Sequence, residues 1–157
     1  MTLFFNLPNG NEVRILTPGT STDQRLTVID YVDYTRGNPP PFTRHDFVEV
    51  FTVLSGTLAF QYDGEEAFIV TEGTAETVAS GRSHTFWNPL DTPLRILLAC
   101  TPAGLDSFFM DIHTEFTRLQ GDKLEESSLA EQIAQLRSRH GIEVTNPPPD
   151  ISKIEFS

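Results

Sequence analysis

The residues of this chain best suited to chemistry are a glutamate and a histidine in two segments marked by glycines. Six residues separate Glu49 from Gly56, and two separate Gly81 from His84. A carboxylate and an imidazole that are buried side by side can remove and return a proton, because burial and a neighbouring charge tune both groups toward neutral pH. Whether these two side chains meet depends on the elements that carry them.

Turn signals divide the segment from residue 50 to residue 100 into short apolar runs. Residues 50–54 have the β-branched and aromatic content of a strand, and Gly56 after them suits a turn with positive φ. Asp63-Gly64 stands between two apolar runs, which is a strong hairpin signal. Further runs cover residues 84–87 and 94–100. Short strands at this spacing, without intervening helices, predict an antiparallel sandwich or barrel.

Period-two alternation gives the strand around His84 two different faces. His84, Phe86 and Asn88 share one face, and Thr85 and Trp87 share the other. An inward face rich in aromatic side chains favours an apolar or aromatic small molecule over a sugar or a nucleotide. Four phenylalanines are the candidate substrate-binding residues: Phe42, Phe51, Phe60 and Phe86.

Two segments between residues 105 and 141 are typical of helices. Apolar residues at helical spacing predict the first helix over about residues 105–119, with one stripe packed against the strands. Ser128 and Glu131 have the spacing of a capping box for the second helix, and Gly141 stands where a C-terminal cap belongs. Basic residues near that end, Arg137 among them, complement the helix dipole. The proline-rich tail at 146–157 is expected to be extended.

Composition and charge narrow the function classes. The chain has 157 residues, 38% hydrophobic and 21% charged, which predicts one domain over residues 1–157. A net charge of −11 disfavours nucleic acid and anionic membranes as partners. No glycine-rich loop follows a strand and opens a helix, so no nucleotide cofactor is expected. Cys100 is the single cysteine, and the first residues lack the features of a signal peptide, so we expect a cytoplasmic protein without a membrane span.

The glycines, the histidine and the glutamate together match the two motifs of the cupins. The second motif, G-x5-P-x-G-x2-H-x3-N, has Ala79 in place of its proline, and the first motif retains its glutamate and final glycine. The matching positions are Gly73, Gly81, His84 and Asn88 for the second motif, and Glu49 and Gly56 for the first. Roughly residues 10–146 resemble the quercetinase-like monocupins, a group of small single-domain cupins.

The resemblance implies a fold, a cofactor and a partner. The expected fold is all-β: a single cupin barrel of the RmlC-like jelly-roll type, with its core at 38–100 and C-terminal helices at 105–141. Such proteins are commonly dimers with a pocket inside the barrel, so we expect a homodimer whose partner is a small apolar or aromatic organic molecule. They often hold one divalent metal ion through three histidines and a glutamate, and their best-known chemistry is oxidative cleavage of flavonols by dioxygen.

The first motif can be aligned in two registers, and the sequence leaves both open. In one register Thr43 replaces the first histidine, and His45, Glu49 and His84 form a two-histidine, one-carboxylate set for iron, manganese, nickel or zinc. In the other register Phe42 and Arg44 occupy the ligand positions, and the site is metal-free. Arg44 would then point into the cavity beside Glu49 and His84 and anchor an anionic group.

Three functions follow from these registers. The first is a metal-dependent dioxygenase of the quercetinase-like kind. The second is a metal-independent isomerase, cyclase or lyase with Glu49, His84 and Arg44 as catalytic residues. The third is a barrel that binds a small molecule without turnover. Of these hypotheses, we favour an enzyme of small-molecule metabolism over a barrel that only binds.

Overall fold

The computed structural model describes residues 3–120 and 126–156, which form two antiparallel sheets and two C-terminal helices. The strands are numbered along the chain. In spatial order the six-stranded sheet contains β1 (Leu3–Asn6), β2 (Glu12–Thr17), β3 (Thr27–Asp33), β10 (Leu94–Thr101), β5 (Val48–Ser55) and β8 (Ala75–Val78). The five-stranded sheet contains β11 (Glu143–Asn146), β4 (Phe42–Arg44), β9 (His84–Trp87), β6 (Leu58–Tyr62) and β7 (Phe68–Val70). This two-sheet jelly roll confirms the all-β prediction.

Alternating side chains of the two sheets fill the space between them. On β2, Val13 and Ile15 are fully buried while Arg14 between them is exposed. Phe51 of β5 and Phe60 of β6 meet across the sheets with ring centroids 5.1 Å apart. Burying one such side chain contributes roughly 1.5–3 kcal/mol. The apolar interior therefore holds together the two sheets that carry the candidate residues.

The predicted hairpin and turn glycine are both confirmed. Strands β6 and β7 pair antiparallel on either side of Asp63-Gly64. Gly56 has φ of 88°, and a Cβ atom there would lie 2.6 Å from the Pro93 carbonyl oxygen. Both the backbone conformation and this close approach require glycine at position 56.

Helices α1 (Leu105–Gln120) and α2 (Glu126–Arg139) follow the last long strand. The extent predicted for α1 is confirmed, and its apolar stripe is largely buried. The capping-box prediction is wrong, because α2 begins at Glu126 and Ser128 already lies inside it. At the other end, the N–H of Ile142 donates to the carbonyl of Arg137 at 2.9 Å, and Gly141 has φ of 69°. This is a Schellman ending, so Gly141 is the predicted cap.

The tail lies along the same domain. Strand β11 pairs with β4, placing Val144 opposite Thr43. Further on, the ring of Phe156 packs 6.3 Å from that of Trp87. Within the described ranges, neither helix has the length and apolar character needed to cross a bilayer.

The burial of Cys100 leads to a first prediction. The thiol lies on β10, where Cys100 is paired with Glu49 of β5 and is fully buried. Burial first, and then the charges of Glu49 and Asp106, raise the pKa of the Cys100 thiol. Because the thiolate is the reactive form, iodoacetamide at neutral pH should leave the native protein unlabelled and add one group in denaturant. Intact-mass spectrometry checks this, and equal labelling rates in both conditions would refute the buried placement.

Candidate functional site

Three side chains from neighbouring elements converge in the barrel. His45 directly follows β4, Glu49 lies on β5 and His84 opens β9. The Nε2 atom of His45 lies 3.0 Å from Oε2 of Glu49, and Nε2 of His84 lies 3.5 Å from the same oxygen. All three side chains are at most 5% exposed. The structure thus brings together the three residues predicted as metal ligands.

Backbone carbonyls fix which nitrogen of each histidine faces the glutamate. Nδ1 of His45 lies 2.9 Å from the carbonyl oxygen of Phe47, and Nδ1 of His84 lies 2.9 Å from that of Arg82. A carbonyl oxygen only accepts hydrogen bonds, so each Nδ1 must carry a proton and donate it. The Nε2 atom is then the nitrogen that both rings present to Glu49.

This tautomer places a charge requirement on the cluster. In neutral imidazoles each Nε2 carries a lone pair, and two lone pairs directed at one carboxylate oxygen repel it. The cluster is stable only with a positive species between these atoms, either a proton on Nε2 or a metal ion. Within the described parts of the chain, the three ligand atoms lie within 4.8 Å of one another. Histidines that donate Nδ1–H to a carbonyl and present Nε2 are the usual metal-ligand form, so the residues fit a divalent ion.

The ionisation of Glu49 follows from the same contacts. Burial raises the pKa of Glu49, but the hydrogen bonds and charges of His45 and His84 oppose burial and together hold this pKa below its ordinary value. Glu49 therefore stays a carboxylate at neutral pH, the form that a metal ion or an imidazolium requires.

Aromatic rings hold the histidines in place. The ring of His45 stacks on Phe47 with centroids 3.7 Å apart, and the ring of His84 lies parallel to that of Phe60 at 5.8 Å. Phe51 approaches His84 edge-on at 5.9 Å. With its Nδ1 hydrogen-bonded and its face covered, each ring is held in one orientation.

Of the two registers, the one that places Arg44 inside the cavity is wrong. Its side chain is half exposed and forms a bidentate ion pair with Glu143 of β11, with N···O distances of 2.8 and 2.9 Å. The neighbouring Thr43 lines the cavity and is the register partner of His84. Strand alternation places position 43 inward and position 44 outward. The structure therefore has the register in which Thr43 replaces the first histidine.

The cavity beside the cluster has a volume of about 360 Å³. Of the four predicted substrate-binding phenylalanines, Phe86 lines it. The expectation for the other three is corrected, because none of them lines the wall. Phe51 and Phe60 are buried in the core between the sheets, and Phe42 is buried on the same face of β4 as Arg44, outside that core cluster. A similar depression of about 390 Å³ on the outer face of the six-stranded sheet contains none of the predicted site residues.

Sequence reasoning missed several polar residues of the cavity wall. Asn11 donates a hydrogen bond to the hydroxyl of Tyr31 at 2.9 Å. Burial, and secondarily the charge of Asp33, raises the pKa of Tyr31 well above its usual range, so the phenol stays neutral. Burial also raises the pKa of Asp33. The alternation of apolar and polar residues in β2 and β3 would have predicted these strands and placed Tyr31 inward. Arg137 also lies on the wall, but no pattern in the sequence indicated that it faces the cavity.

The family comparison agrees with this geometry. The family model described as "Cupin domain" matches residues 31–100, which include all three residues of the cluster. Together with the two-sheet jelly roll, this match shows that the chain has the cupin fold. No curated protein sequence gives a significant match to the chain.

Solved structures show the same fold at low sequence identity. An RmlC-like cupin from Shewanella frigidimarina matches with a TM-score of 0.55 and 19% identity over 68% of this chain and 88% of its own chain. The polyketide cyclase RemF from Streptomyces resistomycificus has a TM-score of 0.53 and 17% identity, over 62% of this chain and 70% of the cyclase. The DMSP lyase DddQ from Ruegeria pomeroyi has a TM-score of 0.44 and 22% identity, over 50% of this chain and 39% of the lyase. The chain spans less than two thirds of that lyase. At identities this low, the likeness to the first two structures shows the fold alone.

The lowered pKa of Glu49 predicts how acid affects the metal-free protein. A depressed folded-state pKa stabilises the fold above the unfolded-state value of about 4.3, and this stabilisation is lost as pH falls through the lower folded-state value. Without metal, the free energy of unfolding should therefore fall more steeply below about pH 4.3 in the wild type than in Glu49→Gln. Urea titrations in chelator between pH 6 and pH 3 measure both slopes.

The matched control is Glu143→Gln, which removes an exposed carboxylate of the Arg44 ion pair. In Glu143→Gln, the free energy of unfolding should fall with decreasing pH as steeply as it does in the wild type. Parallel curves for wild type and Glu49→Gln would show that the histidines do not hold Glu49 ionised.

Proposed function

We propose that this cupin is a metal-dependent enzyme of small-molecule metabolism that holds one divalent ion through His45, Glu49 and His84. The observation that carries the proposal is the convergence of two Nε2 atoms, with Nδ1–H donated elsewhere, on one carboxylate oxygen. Two histidines and one carboxylate are typical of non-haem iron sites with open coordination positions. Manganese, nickel and zinc accept the same ligands.

The reaction we propose is dioxygen-dependent oxidation of an aromatic or apolar metabolite, as in the quercetinase-like cupins. A bound ion supplies Lewis acidity and, when redox-active, electrons for reaction with dioxygen. Thr43 in place of a fourth ligand leaves that side of the site open to substrate. Phe86 and Leu98 on the wall bind an apolar body and exclude water, while the neutral hydroxyl of Tyr31 can donate a hydrogen bond to a substrate oxygen.

A metal-free enzyme is the second candidate. The 3.0 Å between Nε2 of His45 and Oε2 of Glu49 is a hydrogen-bond length, which favours an imidazolium paired with a carboxylate. Such a pair can move a proton in an isomerisation, cyclisation or elimination. Arg44 takes no part in this version, since it lies outside the cavity. A barrel that binds without turnover is the outcome if neither chemistry is found.

Elemental analysis separates the two enzymes. Protein purified without chelator or affinity metal is expected to carry close to one equivalent of iron, manganese, nickel or zinc. His45→Ala should lose most of that metal, because two ligands remain. Arg44→Ala is the matched control at the adjacent residue and should keep it, because its guanidinium pairs with Glu143.

Oxygen consumption with a panel of phenolic metabolites then tests the reaction class. Turnover that follows the metal content of these variants supports the oxygenase. If the wild-type protein takes up no metal after soaking, the metal-dependent oxygenase is refuted. Activity that survives chelation would favour the proton-transfer enzyme.

Thr43 offers a gain-of-function prediction. It faces the cavity as the register partner of His84, so Thr43→His adds an imidazole beside the existing ligands. Losing even an outer hydrogen-bond partner of a ligand costs roughly 10- to 100-fold in metal affinity, so a fourth ligand should tighten binding by at least about tenfold. Competition with a chromophoric chelator measures this. Thr43→Val adds no ligand and should match the wild type; equal affinity in Thr43→His and Thr43→Val would place position 43 outside the coordination sphere.

A further inference from the structure

The cavity wall contains a positive charge that the metal cluster does not use. Arg137 of α2 lines the same cavity as His45, Glu49 and His84, and it is the single lysine or arginine on the described wall. It is half-buried, and burial lowers the pKa of its guanidinium. Arginine nevertheless stays charged in proteins, so this site keeps a cation partly removed from water.

No carboxylate of the described residues neutralises this cation. Arg137 takes part in none of the ion pairs or side-chain hydrogen bonds found between described residues, whereas Arg36, Arg44, Arg82, Arg95 and Arg118 each pair with an acidic side chain. Those five face solvent, where an ion pair contributes little. A half-buried guanidinium facing an apolar cavity has much more to gain from an anion.

The backbone holds Arg137 in place at the cavity wall. Its carbonyl accepts the N–H of Ile142 at 2.9 Å, which is one of the two bonds of the Schellman ending of α2, and the N–H of His140 at 3.1 Å. The ring of His140 also lies 2.7 Å from the carboxylate of Asp111 and ties α2 to α1. Leu136 beside it is 2% exposed. The side chain of Arg137 therefore extends from a fixed helix end. A fixed position suits the binding of a ligand in the cavity, in addition to the favourable interaction of this charge with the helix dipole.

We propose that Arg137 binds the carboxylate of the substrate, so that the substrate is an organic acid with an apolar or aromatic body. This inference rests on the proposed function, because it names the substrate class for the same cavity. The body would lie against Phe86, Leu98 and Phe109, with its reactive part toward the His45, Glu49 and His84 cluster. About 360 Å³ is at the small end of the range for ligand pockets, roughly 300–1,000 Å³.

The charges of the wall favour a monoanion over a phosphate. Arg137 is the single lysine or arginine on the described wall. One guanidinium balances the charge of a monoanion, whereas a phosphate dianion would keep one negative charge unpaired on this side of the cavity. A carboxylate matches the two parallel N–H groups of one guanidinium.

Matched acids and amides test the proposal directly. The probes are benzoate, cinnamate, 3-phenylpropionate and octanoate, each paired with its primary amide, and binding is measured by calorimetry and ligand-observed NMR. At least one acid should bind about tenfold or more tightly than its amide, because charge-assisted hydrogen bonds are about twice as strong as neutral ones. Since a carboxylate can also bind a metal ion, the measurement is repeated on chelator-treated protein.

Variants assign the preference to one residue. Arg137→Met keeps the length of the side chain without its charge and should lose the acid preference with its metal content unchanged. Arg137→Lys should retain part of it. Arg139→Gln, an exposed position two residues away, is the matched control and should bind the acids as the wild type does. Circular dichroism establishes that each variant is folded, and if Arg137→Met is not, Arg137→Gln replaces it.

The outcomes separate this proposal from the metal function. If no acid binds better than its amide, or the preference survives in folded Arg137→Met or Arg137→Gln, the anion site is overturned even when the protein is full of metal. If chelator-treated protein prefers acids through Arg137 but takes up no metal, the anion site stands and the metal-dependent function fails.

Discussion

The candidate site depends on two backbone carbonyl groups. By accepting Nδ1–H from His45 and His84, the carbonyls of Phe47 and Arg82 force both rings to present Nε2 to Glu49. A free imidazole can offer either nitrogen, and a side-chain acceptor can rotate away. Backbone carbonyls in the short segments just before β5 and β9 do neither, so the requirement for a proton or a metal ion is built into the backbone.

The two sheets supply that backbone geometry at an energetic cost. Glu49 comes from the six-stranded sheet and His84 from the five-stranded sheet, so the cluster joins them from inside. Three polar side chains at most 5% exposed replace apolar ones that would have packed there. A buried charge costs several kcal/mol unless it is well paired. The surrounding core, including Phe51 and Phe60, offsets this cost, so the barrel can keep a reactive cluster in its interior.

The sequence predicted the barrel, the hairpin at Asp63-Gly64 and the first helix, because turn residues and apolar periodicity are local properties. The sequence named the three side chains that converge in the barrel, but it left open whether His45 or Arg44 belongs with Glu49 and His84, since a shift of one residue exchanges the two faces of a strand. Only the pairing of Thr43 with His84 settles that register. Arg137 was interpreted as a charge at a helix end, because helical spacing does not reveal which side of a helix faces a cavity.

The charges of the cavity connect the metal ion with the class of substrate. Glu49 and Asp33 alone would repel an organic anion, and the low polarity of the apolar wall strengthens that repulsion. The proposed divalent ion beside Glu49 would reverse the sign of the field at the reactive end, and Arg137 supplies a positive group on the wall. An acid bound between them would satisfy both positive groups. A neutral molecule of the same shape would leave the guanidinium half-buried and unpaired. The proposed anionic substrate and the proposed metal ion thus rest on the same electrostatics of the cavity.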